Sequence, residues 1–76
     1  MDSQFKNDLN IVSEMVYAIA EKIDSYPEYH DRFILIEKTL SEIISGNGNK
    51  EYNRLQSLRE NVKALKLDIE TKEYLI

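Results

Sequence analysis

The sequence predicts an all-α domain of three antiparallel helices, at about residues 3–24, 26–45 and 50–70. Two observations lead to this prediction. Apolar residues recur at alternating spacings of three and four, which is the period of helices that bury one face. Short segments with proline, or with glycine and asparagine, interrupt that period, and such segments end helices. Because short connections favour antiparallel neighbours, we expect a helical hairpin extended into a three-helix bundle.

The first predicted helix opens at Asp2-Ser3, and either side chain can cap a helix by accepting a backbone N–H bond. Apolar residues then recur at spacings of 4, 3, 4, 3 and 4, which strand alternation does not match. They are Phe5, Leu9, Val12, Val16, Ile19 and Ile23. This pattern predicts an amphipathic helix of about five turns.

The second predicted helix follows Ser25-Tyr26-Pro27-Glu28. Ser25 and Glu28 have the spacing of a capping box, and Pro27 lies in the first turn, where its missing N–H has no helical partner to lose. The apolar stripe resumes at Tyr29, Phe33, Ile36, Leu40 and Ile43. Gly46 is expected to end the helix in the left-handed conformation.

The third predicted helix begins at about Lys50, and Asn49 is placed to cap it. Its stripe consists of Tyr52, Leu55, Leu58, Val62, Leu65 and Ile69. The pattern leaves open whether residues 71–76 continue this helix or form a tail.

Composition limits the protein's class. The 76 residues, 32% charged and 42% hydrophobic, are typical of one globular domain spanning 1–76. There is no cysteine, so no disulfide or thiolate metal site is expected. No apolar run approaches the roughly 18 residues of a membrane span, and the first residues lack the pattern of a secretion signal. We therefore expect a cytoplasmic protein that does not bind membranes.

The charge is uneven along the chain. Residues 1–25 hold five acids and two bases, residues 26–46 hold four and two, and residues 47–76 hold five and six. This asymmetry predicts charge attraction between the third helix and the first two. Arg59, Lys63 and Lys66 form a short basic stripe, which we interpret as a solvated flank that attracts the first helix. The net charge of −4 argues against nucleic-acid binding.

Catalytic constellations are not evident. His30 is the sole histidine, and a metal or general-base role would require further ligands or a nucleophile. Glu28 and Asp31 lie near it, but we expect His30 to be an exposed first-turn residue. The acids look solvated and none has the spacing of a catalytic pair. The sequence therefore predicts a non-enzymatic protein without cofactor or metal.

Five large apolar residues of the predicted helices lie far outside the three stripes: Ile11, Tyr17, Ile34, Leu35 and Leu67. At 100° per residue, each lies about 120° or more from the centre of its helix's stripe. A three-helix bundle buries one stripe per helix, so these residues should remain partly exposed. Apolar side chains left exposed in this way are typical of a protein-binding surface, and we predict that these five bind a partner.

The third helix also carries a family resemblance. The segment from Gly46 to Gln56, with Lys50, Tyr52 and Gln56 in a Lys-x-Tyr-x-x-x-Gln pattern, is followed by Lys-Ala-Leu at residues 63–65. Over about residues 33–69 it resembles the small helical co-chaperones of type III secretion needle subunits, the YscE-like family. Those proteins are dominated by one hairpin, whereas the present sequence predicts a long first helix in addition to a hairpin.

The resemblance implies a bacterial cytoplasmic co-chaperone with two partners. One would be a larger helical-repeat chaperone, and the other the needle subunit that the pair keeps unpolymerised. The alternative is a small acidic regulatory inhibitor, of phage or Gram-positive type, that blocks a DNA-binding protein or an enzyme with the acidic face of its first two helices. Both interpretations leave a homodimer open.

Overall fold

The fold is all-α, as predicted. It was obtained as a computed structural model that describes residues 3–46 and 51–75. Its three α-helices are α1 (Ser3–Ala20), α2 (His30–Ser45) and α3 (Glu51–Leu75). Helices α1 and α2 each pack more extensively against α3 than against each other, so α3 is the central element of the bundle.

Ion pairs show the direction in which each helix runs. They join Arg32 to Asp68 at 2.7 Å, Arg54 to Glu42 at 2.8 Å and Lys22 to Glu73 at 2.9 Å. The start of α2 therefore lies beside the end of α3, and the end of α2 beside the start of α3. Lys22, two residues after the end of α1, lies beside the end of α3. Helices that follow each other in the chain are therefore antiparallel, as predicted.

One hydrophobic core runs along the bundle, and its buried members all come from the three predicted stripes. They are Phe5, Val12, Val16, Ile19, Ile23, Phe33, Ile36, Ile43, Leu55, Leu58, Val62, Leu65 and Ile69. Leu9, Tyr29 and Leu40 are partly buried against this core. Tyr52, the first residue of the third stripe, differs because it is exposed.

The connection between α1 and α2 is more irregular than the sequence suggests. Helix α1 ends at Ala20, and two 3₁₀ turns, Ile23–Ser25 and Pro27–Tyr29, precede α2. The break lies at Tyr26, whose φ of −132° and ψ of 68° are not helical, because a following proline disfavours the helical conformation. The predicted capping box is wrong. Tyr26 is the N-cap of the second 3₁₀ turn and Tyr29 is the N-cap of α2, and neither makes a side-chain cap hydrogen bond. The side chain of Glu28 pairs with Lys72 instead.

The second connection and the end of α3 correct two further details. Gly46 ends α2 with φ −78° and ψ 166°, so it is extended rather than left-handed, and its N–H donates to the carbonyl of Ile43 at 3.2 Å. The proposed caps Asp2 and Asn49 lie outside the described residues. Residues 71–75 continue the third helix, which ends at Leu75.

Candidate protein-interaction surfaces

His30 lies apart from any cluster of metal-binding side chains. Within residues 3–46 and 51–75, no group of three or more His, Cys, Asp or Glu could hold a metal ion. His30 is exposed at the first residue of α2, and the nearby Glu28 is engaged by Lys72. None of the helices described is both long and apolar enough to cross a membrane.

Asp8 is a buried carboxylate between α1 and α3, with 5% of its surface exposed. Its Oδ1 accepts a hydrogen bond from Gln4 Nε2 at 3.1 Å. Its Oδ2 accepts from the Tyr52 hydroxyl at 3.2 Å and, more weakly, from Gln56 Nε2 at 3.5 Å. These donors replace the water that a buried carboxylate loses. The expectation that the acids lie on solvated faces is therefore wrong for Asp8.

This network also explains the position of Tyr52. Its ring lies beside that of Phe5, with centroids 6.2 Å apart, and its hydroxyl reaches Asp8, so the side chain stays at the surface instead of entering the core. Tyr52 and Gln56 belong to the Lys-x-Tyr-x-x-x-Gln pattern. In this chain they join α3 to α1, so contacts within the bundle are enough to account for them. Lys50, the first residue of that pattern, lies outside the described part of the chain.

The five residues predicted to bind a partner are all exposed, which confirms the prediction of their exposure. Their exposed fractions range from 44% for Ile11 to 72% for Tyr17. Binding itself stays a prediction. The structure does not bring the five together, because they lie on different sides of the bundle.

Leu35 forms part of an open groove of about 310 Å³ between α2 and α3. The groove is lined by Arg32, Leu35, Ile36, Thr39, Leu58 and Asn61. A second depression of about 240 Å³ shares Thr39, Leu58 and Asn61 with it, so the two are continuous. Ion pairs from Arg32 to Asp68 and from Arg54 to Glu42 cross between the helices at the two ends. Leu35 therefore lies on the side of α2 that faces α3.

Ile11 lies on the side of α1 that faces α3. Ala18 of α1 and Lys22 just after it line a small depression with Lys66 and Ile69 of α3. Ile11 is seven residues before Ala18 and hence lies on the same side of the helix. Leu67 lies nearly opposite the buried stripe of α3 and is exposed. These two residues therefore belong to separate surfaces.

Tyr17 and Ile34 lie on the flanks of α1 and α2 that point away from α3. Ala18 and Leu35 mark the flanks nearest α3, and Tyr17 and Ile34 lie on the other side of each helix's stripe. Because α1 and α2 are antiparallel neighbours and both residues lie within about two turns of their connection, they are at similar heights. Of the five residues, this pair shares one surface.

Besides Tyr52, the sequence interpretation missed three exposed apolar residues among those described: Ile44, Tyr74 and Leu75. Ile44 lies only about 60° from the centre of its stripe, so the helical period gave no signal of its exposure. It is exposed because it lies in the last turn of α2. Tyr74 and Leu75 were missed because the end of the third helix was left open.

The charged residues divide into paired and unpaired groups. Within the described residues, four ion pairs join α3 to α2 or to the connection between α1 and α2, and α3 supplies the acid in two and the base in two. The predicted attraction therefore acts through individual pairs and not through net charge. Arg59, Lys63 and Lys66 form no ion pair with the residues that the structure describes, and the Arg59 Nε is buried without a hydrogen bond there.

Most of the unpaired acids lie on α1, α2 and their connection. Within the described residues, five exposed acids before Gly46 have no ion pair: Glu14, Glu21, Asp24, Asp31 and Glu37. The unpaired bases of this region are Lys6 and Lys38. The outer surface of α1 and α2 therefore carries an excess of negative charge.

Comparisons with known proteins found no relative: no family model, curated protein or solved structure matches this chain.

Proposed function

We propose that this protein is a non-enzymatic module that binds another protein through exposed apolar helix faces. The observation that carries the proposal is that the core closes without the five off-stripe residues, which remain exposed by 44% or more. Exposing large apolar side chains is unfavourable in water, and a partner that covers them recovers that free energy. Helical grooves rimmed by such residues commonly receive an amphipathic helix.

The resemblance to secretion co-chaperones supports one specific form of this proposal. In that form, the chain pairs with a helical-repeat chaperone in the bacterial cytoplasm and helps to hold a needle subunit unpolymerised. The groove between α2 and α3, with Leu35 at its rim, offers a strip of mixed apolar and polar side chains between two helices. A co-chaperone should gain stability when its chaperone is added, because a ligand that binds the folded state stabilises it by mass action.

The unpaired acids support the alternative, a small acidic inhibitor of a DNA-binding protein or an enzyme. Glu14, Glu21 and Glu37 have no ion pair within the described residues, so their charge is free to meet a basic partner. Binding of this kind should weaken as salt screens the charges. The response to salt therefore distinguishes an inhibitor from a co-chaperone that binds mainly by apolar contact.

Affinity purification from the native host, followed by mass spectrometry, tests the shared proposal. The baits are the tagged chain and variants in which Ile11, Tyr17, Ile34, Leu35 or Leu67 is changed to Asp. Ser41→Asp is the matched control, because Ser41 is an exposed polar residue of α2. Circular dichroism establishes that each variant keeps its helical content.

We expect at least one apolar-to-Asp variant to lose a protein that the wild type and the Ser41→Asp control both retain. Enrichment of a helical-repeat protein together with a needle subunit would support the co-chaperone, and a DNA-binding protein or enzyme would support the inhibitor. If all baits retain the same proteins, or none retains any, the exposed apolar residues do not bind a partner and the proposal is wrong.

A further inference from the structure

One surface of the bundle combines exposed apolar side chains with unpaired acids. Tyr17 on α1 is 72% exposed and Ile34 on α2 is 48% exposed, and both lie on the flanks that point away from α3. The exposure of both side chains shows that no other described helix covers these flanks.

Acids surround both apolar residues at helical spacings. Glu14 and Glu21 are three residues before and four after Tyr17, and Glu37 is three residues after Ile34. Residues three or four apart on a helix are surface neighbours. We call these five residues, Tyr17, Ile34, Glu14, Glu21 and Glu37, the α1–α2 face.

The charge around this face remains negative when further neighbours are included. Asp31 lies three residues before Ile34, and Lys38 lies four residues after it. Neither forms an ion pair within the described part of the chain. The four ion pairs found among the described residues neutralise charge along α3 instead. The α1–α2 face and its neighbours therefore carry four acids and one base around two apolar side chains.

We propose that the α1–α2 face binds a basic amphipathic helix of the partner protein. This proposal rests on the proposed function and adds the surface and the chemistry of the partner. The apolar side of such a helix would cover Tyr17 and Ile34, and its lysines or arginines would meet Glu14, Glu21 and Glu37. A helix laid along α1 and α2 would complete a four-helix arrangement, in which each helix buries one stripe.

A designed peptide tests the proposal directly. The probe is a helical peptide of about 18 residues, the length of α1, with leucine at the a and d positions of a heptad and lysine at most others. A second peptide replaces each lysine with glutamate and keeps the leucines. Isothermal titration calorimetry at low and high salt measures the affinity of each peptide for the purified full-length chain.

Variants of the chain locate the binding site. The triple variant Glu14→Gln, Glu21→Gln, Glu37→Gln removes the charge of the face, and Tyr17→Ser with Ile34→Ser removes its apolar part. The matched control is Glu60→Gln, Glu70→Gln, Tyr74→Ser, which makes the same kinds of change on α3, where Tyr74 is exposed. Circular dichroism and thermal unfolding show whether each variant is folded before its affinity is compared.

We expect the lysine peptide to bind the wild type and the control equally well, and the glutamate peptide to bind neither. Removing the three acids should weaken binding about tenfold at low salt, because three exposed charge contacts together reach about that factor. The difference should shrink at high salt, where exposed charges are screened. Loss of Tyr17 and Ile34 should weaken binding at both salt concentrations.

Equal affinity of the wild type and the triple variant for the lysine peptide, or absence of binding, would overturn the proposal. Analytical ultracentrifugation addresses a second copy as the occupant: a dimer that dissociates in the variant with Tyr17→Ser and Ile34→Ser would show that the face binds another copy instead. If the peptide fails while partner capture still depends on Leu35 or Leu67, the protein-binding function stands and the assignment of this face is wrong.

Discussion

At the scale of single residues, Asp8 has the most unusual environment of the described chain. A carboxylate at the edge of the α1 stripe is buried against α3 and accepts hydrogen bonds from Gln4, Tyr52 and Gln56. Burying a charge costs free energy that its hydrogen bonds offset only when they are well made. The network also links the beginning of α1 to the beginning of α3. Because hydrogen bonds are directional, they fix the relative position of the two helices more closely than an apolar contact would.

Removal of the Tyr52 hydroxyl should therefore destabilise the fold. Tyr52→Phe keeps the ring beside Phe5 but removes the donor to Asp8, and the expected loss is about 1–2 kcal/mol of unfolding free energy. Urea denaturation measures the change. The control is Tyr74→Phe, because Tyr74 is exposed at the end of α3 and should unfold like the wild type. Equal stability of the two variants would show that the hydrogen bond to Asp8 contributes nothing.

A second residue-scale prediction concerns Lys22. Its hydrogen bond to Glu73, reinforced by the charge of that carboxylate, holds the pKa of the Lys22 ammonium above its ordinary value of 10.5. A pKa raised by folding means that the pair stabilises the fold at pH below 10.5 and that this contribution is lost as the pH rises through the folded-state pKa. The effect on stability is small because both groups are exposed.

Glu73→Gln should consequently lower the pKa of Lys22, which an NMR titration of the lysine ¹³Cε signals measures. Glu60→Gln, elsewhere on α3, serves as the control and should leave the Lys22 titration unchanged. An unchanged pKa in the Glu73 variant would mean that the ion pair does not form in solution.

At the scale of elements, the helix boundaries depart from the apolar stripes for local reasons. The stripe of the first helix runs on to Ile23, which is buried, although the α-helix itself ends at Ala20. A 3₁₀ turn carries Ile23 into the core because this turn also repeats about every three residues. Pro27 then sets the break at Tyr26, so α2 begins at His30 and later than the sequence pattern suggests.

The conformation of Gly46 leads to an element-scale prediction. Its φ of −78° and ψ of 166° are accessible to any residue, so Gly46→Ala should leave the fold unstrained. By reducing the freedom of the unfolded chain, the substitution should raise the unfolding free energy by about 0.4–1 kcal/mol. Ser45→Ala, at the preceding position, controls for added helix propensity. Destabilisation by Gly46→Ala in urea titrations would show instead that Gly46 is left-handed, as the sequence pattern suggested.

At the scale of the whole molecule, stability depends on one small core. A domain of this size buries a smaller share of its surface than larger domains do, so each buried side chain matters. The core extends along a bundle of 43 × 19 × 17 Å, and α3 contributes Leu55, Leu58, Val62, Leu65 and Ile69 to it. The central position of α3 explains why these five side chains are exposed by no more than 2%.

Two leucines of α3 provide a matched test of that core. Leu65 is fully buried, with 0% exposure, whereas Leu67 two residues later is 63% exposed. Leu65→Ala should cost about 2–4 kcal/mol through lost burial and a residual cavity, a large share of the stability of a small domain. Leu67→Ala should stay within about 0.5 kcal/mol of the wild type. Denaturant unfolding measures the unfolding free energy of both variants. Similar losses in the two would mean that Leu65 is not buried more deeply than Leu67.

The class and order of the helices were predictable because they depend on local periodicity. Val12, Phe33 and Val62 are buried for the same reason that the sequence suggested: each lies on the apolar stripe of its own helix. The exposure of Tyr17, Ile34 and Leu67 follows from the same angular argument. A period of three and four residues is a property of each helix alone, and no knowledge of its neighbours is needed to find it.

The arrangement of those residues around the bundle depends on which helices are neighbours, and that is not a property of any one helix. Asp8 is buried because Tyr52 and Gln56, more than 40 residues away along the chain, supply donors to it. Tyr17 and Ile34 share a surface while Leu35 does not, because packing against α3 separates the two flanks of α2. Local periodicity identified the exposed residues. Long-range packing determined on which surface of the bundle each of them lies.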